Sequence, residues 1–126
     1  MKTILFLLSL TSLASCYKEV NRQKELHGSW NLTKIELFKA DSLSGSSVMK
    51  ETTTTYQFTG DGTQTDLHIS EDGIIQTYHY DFDEKNDIIY LDTYKSFHVD
   101  ELTSSELILS DTYNKYKSVY TFNRAG

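Results

Sequence analysis

The sequence predicts an all-β domain in which eight antiparallel strands form an up-and-down meander that closes into a barrel. Three observations predict this fold. From Gly28 onward, short runs rich in Thr and Tyr alternate apolar and polar residues, as strands do. Short turn segments separate the runs, and two of them contain Asp-Gly, a strong hairpin signal. Eight consecutive strands can close on themselves and so remove both sheet edges; an open or sandwiched sheet is the alternative.

The strands are expected in chain order, and their short links make neighbours antiparallel. They span residues 29–38, 52–59, 63–70, 74–83, 87–93, 96–101, 106–110 and 116–124. The longest link, residues 39–50, is rich in serine and is expected to be a loop.

The two Asp-Gly dipeptides predict a register. With Asp61-Gly62 and Asp72-Gly73 as two-residue turns, Tyr56 faces Leu67 and Leu67 faces Tyr78. A slip of one residue would mix the apolar and polar sets. The apolar face then holds Tyr56, Phe58, Leu67, Ile69, Tyr78, Tyr80 and Phe82, and the last strand adds Tyr116, Tyr120 and Phe122. The polar face holds Thr53, Thr55, Gln57, Asp66, His68, Thr77 and His79.

The N-terminus has the features of an export signal. Lys2 precedes an apolar stretch, residues 4–13, that is too short to span a bilayer as a helix. The end of this stretch, Leu13-Ala14-Ser15-Cys16, resembles the lipobox of bacterial lipoproteins. The resemblance implies that residues 1–15 are removed and that Cys16 carries a diacylglyceryl group and an N-acyl chain such as palmitate. The alternative is an ordinary signal that leaves Cys16 as a free thiol, which is unusual in exported proteins.

The expected organisation is a signal peptide at 1–15, a lipidated tether at 16–27 that ends in a short helical turn, and a barrel domain at 28–126. Several acyl chains make membrane attachment stable. Residues 16–126 keep 11 of the 12 basic residues and all 18 acids, a formal charge of −7. This charge argues against nucleic acid as a partner and against electrostatic docking on anionic lipid. With the only cysteine lipidated, the core alone must stabilise the fold.

Five segments of the chain carry a family resemblance. The first is Leu26-His27-Gly28-Ser29-Trp30-Asn31-Leu32, which contains a G-x-W motif. The others are the hairpin Tyr56-Gln57-Phe58-Thr59-Gly60-Asp61-Gly62-Thr63, the segments Val99-Asp100-Glu101-Leu102-Thr103 and Leu107-Ile108-Leu109, and the ending Tyr120-Thr121-Phe122-Asn123-Arg124. Together they resemble lipocalins, and especially small lipocalin-like lipoproteins of Gram-negative bacteria, which open with G-x-W. The resemblance implies that Trp30 closes one end of the barrel beneath Arg124, a cation–π contact of roughly 0.5–2 kcal/mol.

Side chains for catalysis or metal binding are sparse in the sequence. His68 and His79 share the polar face with Asp66, but an Asp66–His79 cross-strand pair is favoured over a metal site because no third ligand is evident. Residues 81–87 begin like a calcium loop, but Lys85 and Asn86 replace an oxygen ligand and a glycine, which favours a solvated turn. No nucleophile elbow, zinc helix, phosphate loop or dinucleotide fingerprint is present, so we expect no enzyme, no metal and no cofactor.

Two functions are expected. The first is binding of a small hydrophobic or amphipathic ligand in a pocket gated by residues 39–50 and lined by Tyr56, Phe58, Leu67, Tyr78, Tyr80, Tyr120 and Phe122. The second is a filled barrel that presents its loops and outer face to a protein or glycan, because a short eight-stranded barrel can be filled by its own side chains. Tyr17 follows Cys16 in place of the aspartate that retains lipoproteins at the inner membrane, which indicates the outer membrane.

Overall fold

The fold is an antiparallel eight-stranded barrel with one additional strand, which confirms the predicted fold class. The computed structural model describes residues 22–49, 53–61, 63–93 and 95–125, so the signal segment, Cys16 and Tyr17 lie outside the described residues. The elements are α1 (Arg22–Leu26), β1 (Gly28–Lys39), β2 (Ser42–Val48), β3 (Thr54–Asp61), β4 (Gln64–Glu71), β5 (Ile74–Asp83), β6 (Ile88–Leu91), β7 (Ser96–Leu102), β8 (Glu106–Tyr113) and β9 (Tyr116–Arg124).

The barrel closes through pairing of its first and last strands. From β3 to β9 each strand pairs with the next, and β1 pairs with β3 on one side and β9 on the other. The β1–β9 ladder runs from Trp30 opposite Arg124 to Lys39 opposite Tyr116. One end of the barrel, called the closed end, carries α1 and the turns after β3, β5 and β7. The opposite end, called the open end, carries the turns after β1, β4, β6 and β8.

Strand β2 corrects the prediction of a loop at residues 39–50. Ala40 and Asp41 have φ values of 50° and 68°, and Lys39 pairs with Ser42, so this is a two-residue turn of the type I′ kind. All seven residues of β2 are exposed, so the segment has no apolar alternation to reveal it as a strand. Within the described chain, β2 pairs with β1 alone.

The register agrees with one predicted turn and corrects the other. At Asp72-Gly73 the prediction is confirmed, because Glu71 pairs with Ile74 and Leu67 with Tyr78. At the other turn Asp61 pairs with Gln64, so the turn lies one residue later and Phe58, not Tyr56, faces Leu67. The change in pairing is two residues, so every side chain keeps its predicted face.

Gly60 lies in β3, two residues before the corrected turn. Its φ is +101°, a conformation that L side chains rarely adopt, and a Cβ there would overlap the backbone carbonyl of Gln64. This position therefore requires glycine on both grounds.

The core fills the barrel from the closed end. Its largest fully buried side chains are Trp30, Tyr80, Phe58, Phe122, Leu26, Leu67, Ile89, Leu107 and Leu109. Burying one such side chain contributes roughly 1.5–3 kcal/mol. No helix of the described segments is long and apolar enough to cross a membrane.

Candidate functional site

The closed end is sealed by Trp30 and Arg124. The guanidinium Cζ of Arg124 lies 3.9 Å from the centroid of the Trp30 ring. Arg124 Nη1 and Nη2 donate to the backbone carbonyls of His27 and Glu25 at 2.5 and 2.6 Å, and Trp30 Nε1 donates to that of Leu26 at 2.9 Å. These two side chains therefore satisfy carbonyls that the end of α1 leaves without helical partners. Partial burial lowers the pKa of Arg124, and nearby Glu25 opposes that shift.

Gly28 makes room for this arrangement. Its φ is +114°, and a Cβ at this position would lie 2.8 Å from Arg124 Nη1. The glycine of the G-x-W segment is thus required both by its backbone conformation and by the guanidinium beside it.

The start of α1 is tied to the opposite wall of the barrel. The backbone N–H of Gln23 donates to Glu84 Oε1 at 2.7 Å, and Gln23 Nε2 donates to the Tyr80 hydroxyl at 2.9 Å. Arg22 Nη2 lies 2.6 Å from Asp87 Oδ1. The described part of the expected tether is therefore a helix packed across the closed end, with Leu26 in the core.

Four of the seven predicted pocket residues belong to the packed interior. Phe58, Leu67, Tyr80 and Phe122 are at most 1% exposed. The rings of Phe58 and Tyr80 meet edge to face at 5.2 Å. Burial raises the pKa of Tyr80, and its hydrogen bond with Gln23 acts in the opposite direction. These four side chains therefore fill the interior of the barrel toward its closed end.

The other three, Tyr56, Tyr78 and Tyr120, lie toward the open end. Tyr78 and Tyr120 are half-buried and pack against the core together with Ile35, Met49 and Ile69. Tyr56 is 9% exposed and lies 4.7 Å from Phe122, ring to ring. We call the set the mouth; it comprises Ile35, Met49, Tyr56, Ile69, Tyr78 and Tyr120. The mouth combines apolar surface with three phenolic hydroxyls.

The Tyr56 hydroxyl is within electrostatic range of two carboxylates, those of Glu71 and Asp111. Burial, followed by the nearby Tyr120, Glu71 and Asp111, raises the pKa of Tyr56 well above its usual range. Asp111 is paired with Lys95, whose Nζ lies 3.4 Å from Asp111 Oδ2. Among the described residues Glu71 has no ion pair. The mouth is therefore electrically negative on the side of β4.

A cleft of about 300 Å³ opens beside the mouth on the inner face of the β4–β5 hairpin. Ile69, Glu71, Asp72, Ile74 and Gln76 line it. Gln76 Oε1 accepts a hydrogen bond of 2.8 Å from the Tyr78 hydroxyl. The sequence argument assigned Ile69 to this face but did not single out the other four. Extending the predicted alternation outward from Ile69 and Tyr78 would have placed Glu71, Ile74 and Gln76 on the same face.

A second cleft, of about 660 Å³, lies between β7 and β8. The two strands pair only as far as His98 opposite Ser110, and the Lys95–Asp111 ion pair spans the gap beyond. Asp100 Oδ1 lies 2.6 Å from His98 Nδ1 and accepts a hydrogen bond of 3.0 Å from Ser110. The lining is mostly polar: Ile88, Lys95, Ser96, His98, Ser110, Asp111, Thr112 and Tyr113.

The predicted polar face behaves as a hydrogen-bonded surface. Asp66 pairs with His79, and their side chains are 3.7 Å apart. His68 contacts the hydroxyls of Thr59 and Thr77 at 3.3 and 2.9 Å. Nowhere in the described segments do three His, Cys, Asp or Glu side chains converge as a metal site would need.

The segment compared with a calcium loop forms the turn between β5 and β6. Asn86 donates to the Asp83 carboxylate from its backbone at 3.2 Å and from its side chain at 2.8 Å. These hydrogen bonds lower the pKa of Asp83.

Neither protein-family models nor curated proteins give a match to this chain. Among solved structures, the barrel is similar to the crystal structure of the Bacillus subtilis YojF protein. The two sequences are 10% identical, the TM-score is 0.35, and the match covers 86% of this chain and 89% of the other. A likeness at this level carries no argument about function.

Proposed function

We propose that this protein is a lipocalin-like lipoprotein, anchored at the outer membrane through Cys16, that binds a small amphipathic ligand at the open end of its barrel. The observation that carries the proposal is the contrast between the two ends. The closed end is packed around Trp30, Phe58 and Tyr80, whereas Ile69, Tyr78 and Tyr120 remain partly exposed at the mouth.

The packing restricts where a ligand would sit. Because the deep half of the barrel is filled, the ligand would occupy the mouth and the adjoining β4–β5 cleft rather than a deep cavity. The tyrosine rings offer apolar contact, and their hydroxyls favour a ligand that also carries polar groups.

The lipocalin-like assignment is supported by the placement of the G-x-W segment. Trp30 lies under Arg124 at the closed end, as the resemblance implies. The lipobox-like Leu13-Ala14-Ser15-Cys16 supports the anchor. Metabolic labelling with a clickable palmitate analogue should label the wild-type protein and leave Cys16→Ala unlabelled; an unlabelled wild type would refute the anchor.

The ligand proposal is tested by mass spectrometry of the full chain carrying Cys16→Ala, so that the protein carries no covalent acyl chain. Native spectra should show extra mass that disappears on denaturation. The double variant Tyr78→Ala/Tyr120→Ala should lose this mass, whereas Tyr90→Ala, on the outer face of β6, should keep it. A bare mass for the parent chain would contradict ligand binding.

The β7–β8 cleft favours a second function, that of a non-enzymatic interaction module. Its lining is polar, and the Tyr113 ring at its edge is 78% exposed. A glycan offers alternating hydroxyls and apolar ring faces that suit such a surface. If the mass is bare, binding of envelope glycans that is lost on Tyr113→Ala would support this second function.

A further inference from the structure

We propose that the ligand of the mouth is a cationic amphiphile, an amine or quaternary ammonium with an aliphatic or aromatic body. Its head would lie against Glu71 and Asp72, and its body would lie over Ile69 and Tyr56. The inference rests on the proposed ligand-binding function and adds the chemical class of the ligand.

The cross-strand rows of the sheet place these groups in one line. On the inner face, Tyr56 of β3, Ile69 of β4 and Gln76 of β5 form one row. In the next row toward the open end, Thr54, Glu71 and Ile74 are neighbours. The apolar side chains of one row are thus followed in the next row by a carboxylate. A ligand with a charged head and an apolar body would match this pattern.

Exposure changes in the same direction along the β4–β5 hairpin. Leu67 is fully buried, Ile69 is half-buried, and Ile74 is 68% exposed. A ligand body could therefore reach Ile69 from the open end without any strand moving, while its head stayed in water beside Glu71.

The charge of the cleft has one sign. Glu71 and Asp72 both line it, and neither has an ion pair among the described residues. Lys95, a basic residue at the same end of the barrel, is paired with Asp111, with 3.4 Å between Lys95 Nζ and Asp111 Oδ2. An anionic head would be repelled here, and a neutral head would lack the Coulomb attraction that a cation has for the two carboxylates.

Tyr56 continues the apolar surface beside Ile69. The two residues are paired directly across β3 and β4. Tyr56 is 9% exposed, and its ring lies 4.7 Å from that of Phe122. The Tyr56 ring therefore offers the apolar body of an amphiphile an aromatic contact at the inner limit of the mouth.

The test compares three probes that share an octyl chain: octyltrimethylammonium, octyl glucoside and octyl sulfate. Each is titrated at monomeric concentration into the full chain carrying Cys16→Ala, and amide chemical shifts of β4 and β5 are followed by NMR. We expect the ammonium to bind at least tenfold more tightly than the glucoside, with the sulfate weakest. Added salt should reduce the difference, because a partly exposed charge pair is screened.

Glu71→Gln should lower the affinity for octyltrimethylammonium at least fivefold and leave the affinity for octyl glucoside unchanged. The control Glu101→Gln removes an exposed carboxylate from β7 near the closed end and should change neither affinity. Equal binding of all three probes, or a preference for ammonium that survives Glu71→Gln with Asp72→Asn, would overturn the charge inference alone. No binding of any probe would overturn the ligand-binding proposal as well.

Discussion

Arg124 covers the face of Trp30 and at the same time holds the last turn of α1. One guanidinium contacts the indole ring at 3.9 Å and donates to the carbonyls of Glu25 and His27. Its Nε also donates to the carbonyl of Ser104, in the turn after β7, at 3.1 Å. The first strand, the last strand, the helix and a turn are thus joined at one side chain.

Arg124→Ala should therefore destabilise the barrel by roughly 2–4 kcal/mol, through loss of charged hydrogen bonds and of the cation–π contact. Arg124→Lys should recover only part of this, because an ammonium cannot reproduce the planar fork. Urea unfolding followed by the fluorescence of Trp30, the only tryptophan, measures the effect. Lys117→Ala, an exposed change on the same strand, is the control; equal losses for Lys117→Ala and Arg124→Ala would disprove the role given to Arg124.

Leu26→Ala should lower the free energy of unfolding by about 2–4 kcal/mol, because it leaves a cavity beneath α1 in a well-packed core. Lys24→Ala, on the exposed side of the same helix, should change the free energy of unfolding by less than about 0.5 kcal/mol. Thermal unfolding followed by circular dichroism distinguishes the two. If Leu26→Ala were as mild as Lys24→Ala, α1 would be an appendage and not part of the barrel's core.

Three glycines form a matched series for backbone strain and steric overlap. Gly45 has open space and no positive φ, Gly73 has open space with φ +85°, and Gly60 combines φ +101° with overlap at Gln64. Replacement by alanine should therefore lower the free energy of unfolding very little at Gly45, by roughly 1–2 kcal/mol at Gly73, and by more at Gly60. Urea midpoints give the order, and any other order would contradict this account of the turns.

Ala40→Asn should stabilise the protein by roughly 0.5–1 kcal/mol. Ala40 has φ 50° at the first central position of a type I′ turn, where asparagine is tolerated better than alanine. Ser46→Asn provides the contrast, because within β2 the same residue should be neutral or slightly unfavourable. A loss of stability at Ala40→Asn in calorimetry would show that the turn is not of this type.

Alkaline pH should destabilise the fold in part through Tyr56. Its pKa is raised in the folded state, so the stabilisation is fully present below the unfolded value of about 10 and is lost as pH rises above it. Tyr56→Phe should therefore reduce the fall in the free energy of unfolding between pH 9 and about 11. Tyr113→Phe, at an exposed ring, should leave that fall unchanged; equal slopes for wild type and Tyr56→Phe would contradict the burial of this hydroxyl.

The barrel could be predicted because most strands show one face to the core and the other to water. That alternation located all eight barrel strands, and Asp72-Gly73 gave the register of β4 and β5. Alternation could not reveal β2, because both faces of that strand are exposed. The type I′ turn before it was also missed, because Ala40-Asp41 stands in place of the usual asparagine and glycine. The predicted turn at Asp61-Gly62 lies one residue too early, because Asp61 still pairs with Gln64.

The sequence predicted which residues face the barrel interior, but it did not predict how far each of them lies from the open end. Alternation assigned Tyr56, Phe58 and Tyr80 to one face correctly, but it does not say how far along the barrel each residue lies. Depth depends on what covers the end of the barrel. The family resemblance implied the Trp30–Arg124 contact, but the hydrogen bonds from Arg124 to the backbone carbonyls of Glu25 and His27 have no signal in the sequence. The place of Glu71 in the cleft was also not predicted. Glu71 is a polar residue on an otherwise apolar face beside a turn, and the sequence alone does not say whether such a side chain lines a cleft or points into solvent.

If Cys16 is acylated as proposed, the placement of α1 at the closed end fixes which end of the barrel faces the membrane. Only five residues, 17–21, separate Cys16 from Arg22, a reach of about 20 Å at full extension. An acylated Cys16 would hold the sealed base next to the bilayer surface, with the mouth at the far side, about one barrel height away. A ligand would then enter and leave from the aqueous compartment, or from a partner in that compartment. It would not transfer directly from the leaflet that holds the anchor.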